Sequence, residues 1–343
     1  MPDEMEEYRI LTILKLLQKN CNFIVNNKVK MGDPYISICI PAYKRTNYLK
    51  RLLDSIVLQN YTDFEVIVSD DSNDDSVLNL IKDYHDKIPI IYFHNSPSLR
   101  TPGNMNFSIS KAKGEWIKII HDDDWLSNEN SLKLFADATK NDKKFIFSAY
   151  NNFIEKDSLM QLVQFPMNLK SRIIAAPLLL ISNNMIGPPS VSMFHKSVLV
   201  RYDTKLNWRV DQEYYIRIIQ LLKDFEYIKE PLINVGVSES QVTNSCINVP
   251  SVEIPEGYIL LEKYGISPLR HIIVFDAWWR ILRNCQIKSE KDLTQFGDSP
   301  WPSCILNMVQ LQSKFSSTTL KNGFISKILM TVSYLQNFIQ GKI

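Results

Sequence analysis

Over roughly the first 150 residues, short apolar runs alternate with segments of helical periodicity, and this alternation leaves few folds open. Ile36–Ile40 (ISICI), Phe64–Val68 (FEVIV), Ile88–Phe93 and Trp116–Ile120 are short, apolar and rich in β-branched residues, as buried strands are. Between them Asn47–Leu58, Val77–Tyr84 and Met105–Ala112 repeat apolar positions at helical spacing. Strand and helix at this spacing predict an α/β fold with a mostly parallel, doubly wound sheet flanked by helices. Ligands of such sheets bind beyond the carboxyl ends of the strands. Three polar loops fall there: Pro41-Ala42-Tyr43-Lys44-Arg45, Asp70-Asp71 and Asp122-Asp123-Asp124.

The acidic loop after the fourth run carries the strongest chemical signal. Adjacent carboxylates repel one another and are costly to desolvate unless a cation balances them. A magnesium-type ion bridging a few carboxylates and a substrate's phosphates supplies that balance. It would also stabilise charge developing on a departing diphosphate. The alternative is a solvated acidic turn that caps the next helix.

Composition narrows the partners. The chain has 343 residues, 45% of them apolar and 22% charged, enough to bury a real core. Its 39 basic and 37 acidic side chains leave a net charge of +2, which argues against bulk nucleic-acid binding. Five cysteines are scattered singly and the five histidines do not cluster, so neither zinc nor redox work is indicated. The odd, dispersed cysteines suit a reducing cytosol. The acidic start (Asp3, Glu4, Glu6, Glu7) is unlike a secretory signal. The uncharged stretch Ile173–Phe194 is interrupted by Asn183, Asn184, Pro188 and Pro189, so no bilayer-spanning run is expected.

Ile36–Ser72 (ISICIPAYKRTNYLKRLLDSIVLQNYTDFEVIVSDDS) resembles the opening of family 2 glycosyltransferases of the GT-A (Rossmann-like) fold. Asn95–Leu126 resembles that family's approach to its metal-binding DxD motif, with Asn106, Ala112, Gly114 and Asp122–Asp124 at the family's spacing. Ile186–Ser197 (IGPPSVSMFHKS) and Trp208–Ile218 (WRVDQEYYIRI) resemble its acceptor-side elements, in the family's order. The resemblance spans roughly residues 35–245. Ahead of it, apolar positions at helical spacing predict an amphipathic helix at 5–20 within an N-terminal helical extension over 1–33. A GT-A domain over 34–250 would follow, its nucleotide-sugar half about 34–128 and its acceptor half about 129–250. A helical region over 251–343 would complete the chain.

Carried over by resemblance, Pro41, Ala42 and Tyr43 line the nucleobase slot, and Asp71 with Asp70 holds base or ribose. Arg45, Arg100, Asn106 and Asp123 fall on the donor side. Asp122 contacts ribose or metal, and Asp124 ligates the metal, Mn²⁺ or Mg²⁺. Pro189 and Ser190 belong to an acceptor loop. Asp211, ahead of Arg217 on one helix, matches the family's general base, with Glu213 the nearby competitor. Other readings stay open: Tyr43 as core packing, Asp70 or Asp71 as a helix cap, Asp211 as a carboxylate favoured at a helix start. His121 abuts the acidic loop, as a tuning group or a structural histidine. Ser238–Thr243 resembles a family segment that folds over the diphosphate but lacks its usual histidine or arginine.

The implied reaction is inverting transfer of a hexose or deoxyhexose from a UDP- or dTDP-linked donor to a hydroxyl of a glycan or lipid-linked acceptor. The implied setting is O-antigen or capsule assembly, in the cytoplasm or at the inner membrane face. Two rivals stand beside it. One is a nucleotidyltransferase, against which the absence of glycine from Pro41–Arg45 counts. The other is a non-catalytic nucleotide- or glycan-binding protein on the same fold. For the last predicted helix, Lys321–Lys342, contact with anionic lipid and a packing or homodimer role are both open.

Overall fold

Every position of Phe64–Asp70 is buried, and in Ile36–Ala42 only Pro41 is partly exposed. Strands covered on both faces by helices read as continuous apolar runs, which is why these two show no alternation. A computed structural model describes residues 23–25, 32–198, 200–238, 245–296 and 300–343. Its first half alternates β1 (Phe23–Val25), β2 (Ile36–Ala42), α1 (Thr46–Val57), β3 (Phe64–Asp70), α2 (Ser76–Lys82), β4 (Ile90–His94), α3 (Arg100–Lys111) and β5 (Trp116–Ile119). There follow β6 (Trp125–Leu126), α4 (Ser131–Ala138), β7 (Phe145–Ile154), β8 (Leu159–Val163), β9 (Ser192–His195) and β10 (Glu226–Val237). The predicted N-terminal helix over 5–20 lies outside the described residues, as does most of Ser238–Thr243.

The strands form one sheet in the order β1-β4-β3-β2-β5-β9-β7-β10-β6, with β8 paired to β7. β2, β3, β4 and β5 run parallel, as the spacing predicts. Beyond β5 the sheet is mixed: β9 is antiparallel to both β5 and β7, and β7 is parallel to β10. Register places the site. Ala42 lies opposite Asp70, Asp70 opposite His94, and Cys39 opposite Ile119, so the loops after β2, β3 and β5 leave from one edge. α1 packs Leu49, Leu52, Leu53 and Ile56 into the core, and a fully buried side chain of this kind is worth about 1.5–3 kcal/mol.

The chain divides into two compact units. The first comprises residues up to Phe165, Ile186–Thr204 and Asp224–Ser238, and holds the whole sheet. The second comprises Pro166–Met185, Lys205–Lys223 and the chain from Glu239, so three stretches within 34–250 belong to it, the last being 239–250. It is helical: α5 (Lys170–Ala175), α6 (Val210–Leu222), α7 (Pro250–Tyr264), α8 (Ile272–Asn284), α9 (Glu290–Thr294), α10 (Ser303–Gln312), α11 (Ser317–Lys321) and α12 (Gly323–Ile339). The single helix expected over Lys321–Lys342 is broken at Asn322, whose side chain accepts hydrogen bonds from the N–H groups of Phe324 and Ile325 and so caps α12. Trp279 anchors this unit, donating through Nε1 to Ser326 Oγ at 3.0 Å. Among the described residues no helix is long and apolar enough to cross a membrane.

Gly114 sits where the turn before β5 meets β2. Its N–H donates to Ser37 Oγ at 2.8 Å, and a Cβ there would lie 2.6 Å from Ser37 N and 2.9 Å from Ile36 C. Those are backbone atoms of a central strand and cannot give way cheaply. Gly114→Ala is therefore expected to cost about 1–3 kcal/mol of stability, read as a lower urea midpoint at unchanged slope. An unchanged midpoint would contradict this packing.

Candidate active site

β5 is buried throughout, and the chain leaves it through His121 into the three aspartates. Asp122 and Asp124 are buried, while Asp123 keeps part of its surface. Asp122 accepts from the Tyr43 N–H and faces the Arg45 guanidinium, which donates to both of its oxygens. Arg45 Nη1 also reaches Asp123 Oδ2 at 2.9 Å. Burial works against the Arg45 charge, but Asp122 and Asp123 outweigh it and raise its pKa. Asp124 accepts from the Gly236 N–H at 3.1 Å and from the Ser190 hydroxyl. Burial, with Asp123 beside it, nonetheless holds its carboxyl well above the ordinary range. Burial also lowers His121 and keeps its ring neutral, against the pull of Asp123.

One arginine against three carboxylates leaves the cluster short of positive charge. Oxygens of Asp123 and Asp124 and a ring nitrogen of His121 lie within 4.8 Å of one another. Carboxylates suit magnesium and manganese, and a neutral imidazole is a ligand for divalent transition ions, so these residues fit one divalent cation. The expected pair was Asp124 with Asp122. Asp124 belongs to this group as well, whereas both Asp122 oxygens are turned to Arg45.

The loops after β2 and β3 close around the same edge. Asp71 N donates to Ala42 O at 3.0 Å, and Lys44 N donates to Ser72 Oγ at 2.8 Å. Asp70 is fully buried, accepting from Ser72 N and Tyr92 Oη, both at 2.8 Å. Asp71 accepts from Asn95 Nδ2, Ser98 Oγ, Leu99 N and Arg100 N, and so holds the entry into α3. Tyr43 is 54% exposed, which excludes it from the core. Arg100 is exposed, and its N–H, not its guanidinium, is the group that meets Asp71. Asn106 exchanges two hydrogen bonds with the Tyr202 backbone, at 2.8 and 2.9 Å. Pro189 and Ser190 form a buried turn whose Ser190 Oγ also accepts from His121 N at 2.9 Å.

The second unit carries the two acids of α6. Asp211 lies in its first turn, half-buried, and burial pushes its carboxyl up to about 7. No hydrogen bond or ion pair to it is seen among the described residues. Glu213 is fully buried and engaged, by Arg217 Nε and Nη2 at 2.6 Å each, by Lys263, and by Tyr264 Oη at 3.0 Å. Ahead of α6, Glu256 accepts from the N–H groups of Asn207, Trp208 and Arg209, and Glu253 pairs with the Arg209 guanidinium. Two acids of α7 thus fix the approach to Asp211.

Residues 37–202 match the sequence model of glycosyl transferase family 2. The chain carries a family 2 glycosyltransferase domain. An uncharacterized glycosyltransferase of Rickettsia typhi is 27% identical over 223 residues, covering 63% of this chain and 68% of that protein. A Campylobacter jejuni protein named GalNAc(5)-diNAcBac-PP-undecaprenol beta-1,3-glucosyltransferase is 34% identical over 95 residues, 27% of this chain and 31% of that one. Among solved structures, Staphylococcus aureus TarS 1-349 in complex with UDP-GlcNAc superposes with a TM-score of 0.53 at 17% identity, over 90% of this chain and 82% of that chain. That likeness is one of fold.

The glycosyltransferase domain also uses residues that sequence reasoning passed over. Lys118, in the middle of β5, is wholly buried and donates to Ser190 O at 2.7 Å, with its Nζ 3.8 Å over the Phe135 ring. Burial holds its pKa well below the usual lysine range, with Asp124 pulling the other way. A lysine inside the run WIKII was a legible signal. Gly236 had none: a Cβ there would lie 2.5 Å from Asp123 O, so only glycine lets β10 donate to Asp124. Arg51 donates to Asp123 O at 2.9 Å while stacked 3.7 Å from the Trp125 ring centroid. Asn104 donates to Ser69 O and Ala42 O and accepts from Asn95, linking the loops after β2 and β3.

Because burial and Asp123 raise Asp124, its charge opposes folding of the metal-free protein at neutral pH. Asp124→Asn keeps an acceptor for Gly236 and removes that charge. Melting in chelator should then rise, by the equivalent of about 1–3 kcal/mol. A lower melting temperature would show that the cluster is already balanced without a cation.

Proposed function

We propose that this domain transfers a sugar from a nucleoside-diphosphate donor, UDP- or dTDP-linked, to a hydroxyl of a glycan or lipid-linked acceptor, with a divalent metal and with inversion. The observation that carries the reading is the meeting of Pro41–Arg45, Asp70–Asp71 and Asp122–Asp124 at one edge of a parallel sheet, with too little positive charge for three carboxylates. A nucleotide diphosphate with its cation supplies what that edge lacks. Tyr43, exposed at the mouth of β2, stacks on the nucleobase, and Asp71 with Asp70 shapes the wall that takes the base and ribose. Arg45 turns its guanidinium from Asp122 and Asp123 toward the donor phosphates. Asp124, with Asp123, Asp122 and His121 around it, holds the metal as Mn²⁺ or Mg²⁺. When bound, that ion offsets charge on the leaving diphosphate.

Asp211 is the proposed base. Its carboxylate takes the proton of the acceptor hydroxyl, and that oxygen bonds to the anomeric carbon from the face opposite the diphosphate. The bond from that carbon to the diphosphate oxygen breaks with its electron pair, and a single displacement inverts the centre. A carboxyl lifted to about 7 and free of an ion pair among the described residues is suited to this task. Glu213, committed to Arg217, Lys263 and Tyr264, supports the acceptor side by holding α6 in place. Ser190 and Pro189 contribute the acceptor loop. A relative named for an undecaprenol-linked acceptor supports a place in bacterial surface-polysaccharide assembly, such as O-antigen or capsule, at the cytoplasmic face of the membrane.

Thermal shift with UDP-, dTDP-, GDP- and CDP-sugars, with and without manganese, tests the donor site. One nucleotide is expected to stabilise the wild type by about 2.7 kcal/mol at a hundredfold excess over Kd, only with manganese, and to leave Asp124→Ala unmoved. No shift for any nucleotide sinks the assignment. Asp211→Asn should keep the donor shift and lose about 10²–10⁴ in kcat. In the wild type the base is ionised only above its raised pKa, so kcat/KM should climb through about pH 7 and then level. A flat profile from pH 5 to 9 would remove Asp211 from the role.

A further inference from the structure

The C-terminal helix α12 is amphipathic with its apolar face outward. Its buried positions are Ser326, Met330, Ser333 and Asn337. Its exposed positions include Phe324, Ile328, Val332, Leu335, Phe338 and Ile339, with Phe324 77% and Ile339 81% exposed. At 100° per residue this apolar face spans about 120° of the helix. A helix normally hides such a face, so this one is built to be covered.

Charge identifies the cover. Between residues 300 and 343 there are four lysines (Lys314, Lys321, Lys327, Lys342) and no acidic residue. Lys321 and Lys342 bracket α12, and Lys327 flanks its apolar face. α10 and α11, packed against the helix, add no acid. α8 adds Arg280, Arg283 and one acid, Asp276, which is already held by Arg280 and Lys327. A second copy of the helix fits this surface poorly. Paired helices bury a narrower seam and place opposite charges along its margins. Here a parallel pair would set Lys321 against Lys321, and an antiparallel pair would set Lys321 against Lys342. A broad apolar face rimmed by lysines matches an anionic lipid surface, into which the helix sinks in-plane while the lysine stems reach the headgroups.

We propose that α12 seats this protein on anionic membrane, lying in the plane of the interface. This goes beyond glycosyl transfer and is tested without substrate, by flotation of the full chain with vesicles. Binding is expected to vesicles containing phosphatidylglycerol, to weaken on phosphatidylcholine alone, and to fall as salt rises. Replacing Phe324, Ile328 and Ile339 together by serine should weaken binding about tenfold or more, because each removes apolar surface from the lipid. These side chains are exposed, so the melting curve of that variant should match the wild type. Lys321→Glu with Lys342→Glu should weaken binding to the anionic vesicles alone. Absence of flotation, or flotation that the serine substitutions leave unchanged, overturns the proposal. A lipid-free dimer that those substitutions dissociate also overturns it, since a second copy would then be the cover.

Discussion

Three consecutive carboxylates at the buried end of a central strand are the constraint around which the first unit is arranged. Left alone, Asp122, Asp123 and Asp124 would repel one another at low dielectric. The fold answers with four donors on three segments. Arg45 comes from the loop after β2, Ser190 from the turn before β9, the Gly236 N–H from β10, and the Tyr43 N–H from the backbone beside them. Even so the balance is incomplete, and the shortfall is what a divalent cation corrects.

The scaffold behind these donors is stiff. Lys118 donates its Nζ hydrogen to the carbonyl of Ser190, far from water, which ties the strand carrying the aspartates to the turn that serves Asp124. Removing one member of such a network leaves the others buried and unpaired, which costs more than the bond itself contributes. On the donor side Asp71 organises the entry to α3 through four hydrogen bonds, while Asp70 is locked by Ser72 and Tyr92. In the second unit the same economy holds α6: Glu253 and Glu256 fix its approach, and Glu213 ties it to Lys263 and Tyr264 on α7. Asp211 alone of these acids is left with its carboxylate unclaimed among the described residues.

Much of the first half was legible because its signals are local. Apolar runs of strand length separated by helical periodicity specify β2 to β5 and α1 to α3 to within a few residues, since burial on both faces and helix spacing are properties of neighbouring positions. The mixed half was not legible. That β9 runs antiparallel between β5 and β7, and that β7 and β10 pair in parallel, depends on partners far apart in the chain. Asn322 shows a local signal overlooked: an Asn-Gly step inside an apolar stretch ends one helix and caps the next.

The candidate site divides along the same line. Sequence alone determined which residue types stand at the strand ends, because loop position follows from strand position: Pro41–Arg45, Asp70–Asp71 and Asp122–Asp124 needed no coordinates to be nominated. Only the tertiary structure decided their pairing. It turned Asp122 toward Arg45 and Asp123 and Asp124 toward His121, set Asn104 and not Asn106 between the donor loops, and separated Glu213 from Asp211 by giving one of them three partners. Sequence specifies local conformation and hence where a side chain leaves the backbone. The charges that surround it come from distant segments, and only packing brings them within reach.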